Sequence, residues 1–217
     1  MQLKNSGGED TVSFHYDDPM CFKRIHQAIY RNLVEQDPFA VREPAYVCIG
    51  TDRATGDCLG PLVGSRLGDL LSKACIYGTL EKPAHAVNLS DTLDEIARDL
   101  PQAIIVAIDA CLGKVDRIGF INVKKGSLQP GTALNKDLPA VGDFHVSGVV
   151  NVGGLLDHLV LQNTRLYVVY QMAQLIAEGI TAAHLRYLRL REHSAAQFTR
   201  FHPQPAKSGL PRDLPRC

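Results

Sequence analysis

Apolar and polar positions follow two different periods along this chain, and the switches between them mark out its elements. "CFKRIHQAIYRNLVEQ" (21–36) has apolar residues at 22, 25, 29 and 33, a helical spacing. Pro38 and Pro44 bracket the way out of that helix. "AYVCIG" (45–50) is a short apolar run ending in glycine and predicts a buried strand. "GPLVGSRLGDLLSKA" (60–74) returns to the helical period, with Pro61 in the first turn, where its missing N–H does no harm. "CIYGTL" (75–80) predicts a second strand. "SDTLDEIARDL" (90–100) offers Ser90 as an N-cap and puts Leu93, Ile96, Ala97 and Leu100 on one helical face. "AIIVAIDA" (103–110) is the clearest buried strand, and "RIGFINVKKG" (117–126) is a half-alternating one. "NVGGLLDHLVLQNT" (151–164) and "RLYVVYQMAQLIAEGITAAHLRYL" (165–188) predict two helical stretches.

Strands that are apolar throughout and alternate with helices require cover on both faces. The pattern therefore predicts an α/β fold, a three-layer sandwich with a mostly parallel central sheet and helices on both sides. About five or six strands are expected, the usual sheet size. Strands 45–50 and 103–109 should be neighbours. Residues 1–19 read as a flexible leader, 20–201 as a single α/β domain, and 202–217 as a Pro-rich basic tail without fixed structure. The tail rests on composition: from residue 186 onward there are seven Lys or Arg against two acidic residues. Pro203, Pro205, Pro211 and Pro215 also deny it helix and ladder donors.

Composition narrows the function classes. Hydrophobic residues make up 45% of 217 and charged residues 21%, enough apolar material for one full core. The formal net charge is zero, so no overall basic field points to nucleic acid. No apolar run approaches a membrane span, and the polar start lacks a signal-peptide core, so a cytoplasmic protein is expected. The six cysteines lie at 21, 48, 58, 75, 111 and 217 with no C-x-x-C pair, which argues against a structural zinc site or a disulfide framework.

In an open parallel sheet, ligands bind beyond the carboxyl ends of the strands. The pattern puts Asp57 there, in the loop after the first strand, and Asp109, which closes "AIIVAID". A carboxylate at the end of an apolar strand is costly to bury unless it is paired or ligated. Two such groups can share a proton or bind a cation. The competing reading is that each merely caps a turn or helix. Gly56 and Gly60 are expected to keep the backbone near Asp57 small enough for substrate to approach. Thr51, Asp52 and Arg53 share that loop as substrate-binding candidates, Asp52 and Arg53 alternatively as a local ion pair. "LPAVGDFHVSGVVNVGG" (138–154) reads as a third loop on the same edge, bringing His145, Ser147 and Asn151. His145 is the natural third member of a metal or acid–base site, with Ser147 and Asn151 toward substrate. A phosphate loop fails because Asp57 stands where Lys would be needed, and no G-x-G-x-x-G follows the strand. Cys58 and Cys111 lie beside anions, which raise a thiol pKa and disfavour a nucleophilic role.

Several blocks carry a family resemblance: "CIGTDRATGDCLGPLVGSRL", "YGTLEKPAHAVNL", "IDACLG", "GDFHVSGVVNVGG" and "VLQNTRL". Over roughly residues 45–185 the chain closely resembles the YyaC family of sporulation proteins. That family is similar to the spore germination protease, which degrades small acid-soluble spore proteins, and to the hydrogenase maturation endopeptidases. The resemblance implies a hydrogenase-maturation-peptidase-like sheet between helices. It also implies a catalytic pair at Asp57, in "D-C-L-G", and Asp109, in "IDAC". A divalent ion held by Asp57, Asp109 and His145 is implied more weakly, since the motif around His145 differs. The implied function is peptide-bond hydrolysis in sporulation or germination, in the cytoplasm of the sporulating cell or spore. The partner would be a peptide or spore protein, with no membrane or nucleic acid and with a homo-oligomer left open. The alternatives are a non-catalytic sporulation factor binding peptide or protein in the same crevice and, more weakly, a small-molecule hydrolase.

Overall fold

The computed structural model describes residues 11–131 and 138–201, with side chains described as far as residue 192. Among the described residues six strands form one sheet: β1 (Thr11–His15), β2 (Pro44–Cys48), β3 (Cys75–Tyr77), β4 (Ile104–Gly113), β5 (Phe120–Lys125) and β6 (Phe144–Val152). The spatial order is β1-β5-β6-β4-β2-β3. Strands β6, β4, β2 and β3 run parallel to one another, while β5 is antiparallel to both β1 and β6. The sheet is thus mostly parallel, and β2 and β4 are neighbours as the apolar runs required.

Side-chain alternation along the strands builds two cores. Tyr46 and Cys48 of β2 and Val106 and Ile108 of β4 face α1 (Cys21–Gln36), α2 (Leu59–Leu70) and α5 (Leu166–Phe201). Val47, Ile49 and Ala107 face the other way, onto α3 (Leu89–Asp99). This is the expected three-layer sandwich. In α1 the buried stripe is Cys21, Ile25, Ala28, Ile29, Asn32 and Leu33, whereas Phe22, expected on that face, is 41% exposed. No described helix is long and apolar enough to cross a membrane.

Four local expectations are revised. Thr11–His15 is not leader but the edge strand β1, whose Val12 and Phe14 pack on the larger core; residues 1–10 lie outside the described residues. The expected loop 138–154 is largely β6, a strand with a neighbour on each side. The expected helix over 151–164 shrinks to α4 (Asp157–Gln162), because 151–152 still belong to β6 and the Gly153-Gly154 pair intervenes. Helix α5 continues to Phe201, well past residue 188, and the expected tail 202–217 lies outside the described residues.

At the other end of the sheet, the strand starts are clamped by a buried polar hub. Asp37 is 5% exposed and accepts hydrogen bonds from the Arg42 N–H at 2.6 Å, the Phe39 N–H at 3.3 Å and the Tyr187 hydroxyl at 2.8 Å. The Arg42 guanidinium donates to the carbonyls of Gln102 and Ala103, both at 2.8 Å. Helices α1 and α5 and the entries to β2 and β4 are thereby tied together.

The turn from β2 into α2 depends on close backbone approach. Gly50 has φ +138°, and a Cβ there would stand 2.0 Å from the Asp57 carbonyl oxygen. A Cβ on Gly60 would stand 2.1 Å from the Ile49 carbonyl oxygen. Neither obstacle is a flexible side chain. Gly60→Ala should therefore push α2 off β2 and lower stability by about 2–3 kcal/mol, read as a shift in the denaturant midpoint. A wild-type midpoint would contradict this account of the turn.

Candidate functional site

Strand β4 does not stop at Asp109. It runs on to Gly113, whereas β2 ends at Cys48, so past Ile108 the β2 side of β4 loses its ladder partner. The unpaired stretch opens a cleft of about 520 Å³ beyond the carboxyl ends of the strands. This is where ligands bind in open parallel sheets. Asp57, from the 3₁₀ turn 55–58, and Asp109 both line it. Around them stand Thr51, Arg53, His85, Cys111 and Asp157, and an apolar wall of Val87, Leu112, Leu128 and Leu138.

The two carboxyls sit in different surroundings. Asp109 is 9% exposed. Burial raises its pKa well above the ordinary 3.8, the Asp57 charge pushes it further, and the Ala110 N–H, 2.8 Å from Oδ1, opposes only weakly. Asp57 is half-buried and also raised by burial, but the Thr51 backbone N–H pulls it back, as does His85 whenever its ring is protonated. Of the two, Asp109 holds its proton more tightly. Environments that push paired carboxyls apart are how one site keeps an acid beside a base.

The remaining expected residues divide. Thr51 and Arg53 line the cleft, Arg53 with an exposed side chain at its rim. Asp52 is exposed, does not line the cleft, and forms no ion pair with Arg53 among the described residues. His145 pairs in register with Ala107, two residues before Asp109, and is 7% exposed. Its Nδ1–H donates to the Gly126 carbonyl at 2.9 Å, and burial lowers its pKa. It does not line the cleft. The expected metal set of Asp57, Asp109 and His145 is therefore not assembled. Among the described residues no cluster of three or more His, Cys, Asp or Glu is placed to hold a metal ion.

Ser147 is the in-register neighbour of Asp109, buried and engaged in the sheet rather than facing a substrate. It continues a polar row across four strands, Ser13–Asn122–Ser147–Asp109. Ser13 Oγ donates to Asn122 Oδ1 at 2.6 Å and Asn122 Nδ2 donates to Ser147 Oγ at 3.4 Å, and Ser147 works against the rise of the Cys111 pKa. Burial still pushes the Cys111 thiol up to about 11, so no ready thiolate stands in the cleft. Asn151 also serves the fold, donating to Thr164 Oγ1 at 3.2 Å and so tying the end of β6 to the α4–α5 turn. Gly56 and Gly60 act through packing, not substrate access: a Cβ on Gly56 would strike Thr164 and Leu161.

His85, like Asp157, is a polar cleft residue that the sequence does not mark. It follows a three-residue strand and reaches the site through a tertiary bridge, Ile49 with Ala84, and the Gly50 N–H to Ala84 carbonyl bond at 2.9 Å. The quoted block "YGTLEKPAHAVNL" contains it, but nothing in the local spacing marks it.

Two comparisons place the chain. YyaC, an uncharacterized protein of Bacillus subtilis (strain 168), is 49% identical over 136 residues. The match covers 62% of this chain and 66% of that protein, just under two thirds of its length. Residues 13–179, most of the chain, nearly all of the sheet and its helices as far as the first part of α5, match the family described as "Protein of unknown function (DUF1256)". The chain belongs to the DUF1256 family.

Proposed function

We propose that this protein is an aspartate-dependent endopeptidase acting in sporulation or germination. The observation that carries the reading is the unequal pair of carboxyls, Asp57 and Asp109, lining one cleft at the carboxyl edge of the sheet. The resemblance to the spore germination protease supplies the reaction class and the substrate to try first. Asp57, the more readily ionised, takes a proton from a water as its oxygen attacks the peptide carbonyl carbon. Asp109, which keeps its proton, gives it to the departing amine as the C–N bond breaks. One carboxylic acid and one carboxylate remain with roles exchanged, and proton exchange with solvent resets them. Arg53 on the rim and the apolar wall hold the chain on either side of the scissile bond.

A non-catalytic peptide-binding factor would use the same apolar wall. It has no use for a buried, protonated carboxyl, which is why hydrolysis is preferred. The pH profile of hydrolysis tests this. The rate should be bell-shaped, falling on the acid side as Asp57 is protonated and on the alkaline side as Asp109 loses its proton. The two limbs belong to the pair jointly. A rate on small acid-soluble spore protein that stays flat from about pH 5 to pH 9 would count against paired carboxyls.

A further inference from the structure

The two-aspartate scheme leaves one charge without a partner: the oxygen of the attacked carbonyl, which becomes negative in the tetrahedral intermediate. Such an oxyanion needs a preorganised donor in a dry cleft. Resting on the peptidase reading, we propose that His85 is a further catalytic residue, donating its Nε2–H to that oxygen.

Three observations carry this. First, His85 lines the cleft together with Asp57 and Asp109 and comes from a third segment, the loop following β3. Second, that loop is held at both ends. The Gly50 N–H bonds the Ala84 carbonyl, Asn88 Oδ1 accepts the His85 N–H at 2.8 Å, and Asn88 Nδ2 donates to the Pro83 carbonyl at 3.0 Å. Third, the ring's tautomer is set locally. The Val87 N–H donates to His85 Nδ1 at 3.3 Å, so in the neutral ring Nδ1 is the acceptor and the proton sits on Nε2. His145 has the opposite arrangement, with its Nδ1–H spent on the Gly126 carbonyl outside the cleft.

The bonds balance. Water oxygen joins the carbonyl carbon, its proton goes to Asp57, and the carbonyl π pair moves to oxygen, where the His85 N–H meets it. When the C–N bond breaks, that pair re-forms the C=O bond and the amine takes the Asp109 proton. His85 neither gains nor loses a proton. It differs here from a general base, and a side-chain amide can substitute for it in part.

The experiment has two arms. Nitrogen NMR of the full chain at about pH 8, with His85 assigned from the spectrum of His85→Gln, should show the Nε2–H tautomer. The Nδ1–H tautomer would overturn the proposal whatever the activity. Hydrolysis of small acid-soluble spore protein and of a quenched-fluorescence peptide library should fall by about 10²–10³-fold in kcat for His85→Ala, with KM little changed. His85→Gln, which restores an N–H donor, should recover about tenfold of that loss. If Asp57→Asn is inactive while His85→Ala keeps wild-type kcat, the His85 role falls and the peptidase reading stands. If the wild type hydrolyses neither substrate, or Asp57→Asn matches it, the reading itself falls and takes this inference with it.

Discussion

Asp109→Asn is expected to make the protein both inactive and more stable at neutral pH. The carboxyl is buried beside the Asp57 charge, and a single backbone N–H opposes that pressure. Its folded pKa lies well above the ordinary 3.8 of the unfolded chain. A raised carboxyl favours folding below the unfolded value, and that contribution is lost as pH rises through the folded value. The asparagine variant has no such titration. Its advantage should therefore be small in acid and grow with pH, reaching about 1–3 kcal/mol at neutrality, the scale for a poorly compensated buried polar group. Hydrolysis should drop by about 10²–10⁴-fold or more, because the leaving amine loses its proton donor. If Asp109 were only a turn cap, the substitution would weaken the fold and leave chemistry alone. Thermal melts of wild type and variant across the acid-to-neutral range separate the two outcomes.

Asp37→Ala is expected to be the most damaging polar substitution away from the cleft. Burial works to raise the Asp37 pKa, but the hydrogen bonds from the Arg42 N–H, the Tyr187 hydroxyl and the Val41 and Phe39 N–H groups outweigh it and leave it below 3.8. A depressed carboxyl stabilises the fold above the unfolded pKa, and that contribution is lost as pH falls through the folded value. Removing the side chain leaves the Arg42 and Phe39 N–H groups without their acceptor and the Tyr187 hydroxyl with only the Arg42 carbonyl, at 3.2 Å. A loss of about 1.5–3 kcal/mol at neutral pH follows, the scale for removing a charged acceptor from buried hydrogen bonds. The loss should shrink in strong acid, where Asp37 is protonated in wild type too. Tyr187→Phe should cost about 1 kcal/mol, one O–H donor placed between the Asp37 carboxylate and the Arg42 carbonyl. A near-neutral Asp37→Ala would show that the hub does not hold the strand entries together.

The central strands were legible because a parallel strand buried on both faces is apolar throughout, as 45–48 and 104–108 are. β6 was not, because "FHVSGVVNV" carries His, Ser and Gly into the interior and ends on a half-buried Asn. Those side chains read as loop chemistry until their partners are known: a Gly126 carbonyl for His145, Asn122 for Ser147, Thr164 for Asn151. Strand β1 escaped notice because one exposed and four half-buried residues at a sheet edge give little periodic signal. Asp57 and Asp109 stood out because a carboxylate next to an apolar strand is rarely free of a task. His145 misled for a related reason, since a histidine among glycines and polar residues looks like a ligand until a strand register turns it away. His85 lay beyond local reading, because only the Ile49–Ala84 bridge sets it opposite Asp57.

The central claim is that the Asp57–Asp109 pair carries out chemistry in the cleft. The most direct measurement is hydrolysis of small acid-soluble spore protein by wild type, Asp57→Asn, Asp109→Asn and His145→Ala, with the fold of each checked by thermal melting. The account predicts an active wild type, two folded but inactive aspartate variants, and a His145→Ala variant within a few fold of wild type. Equal activity in wild type and Asp109→Asn would contradict it.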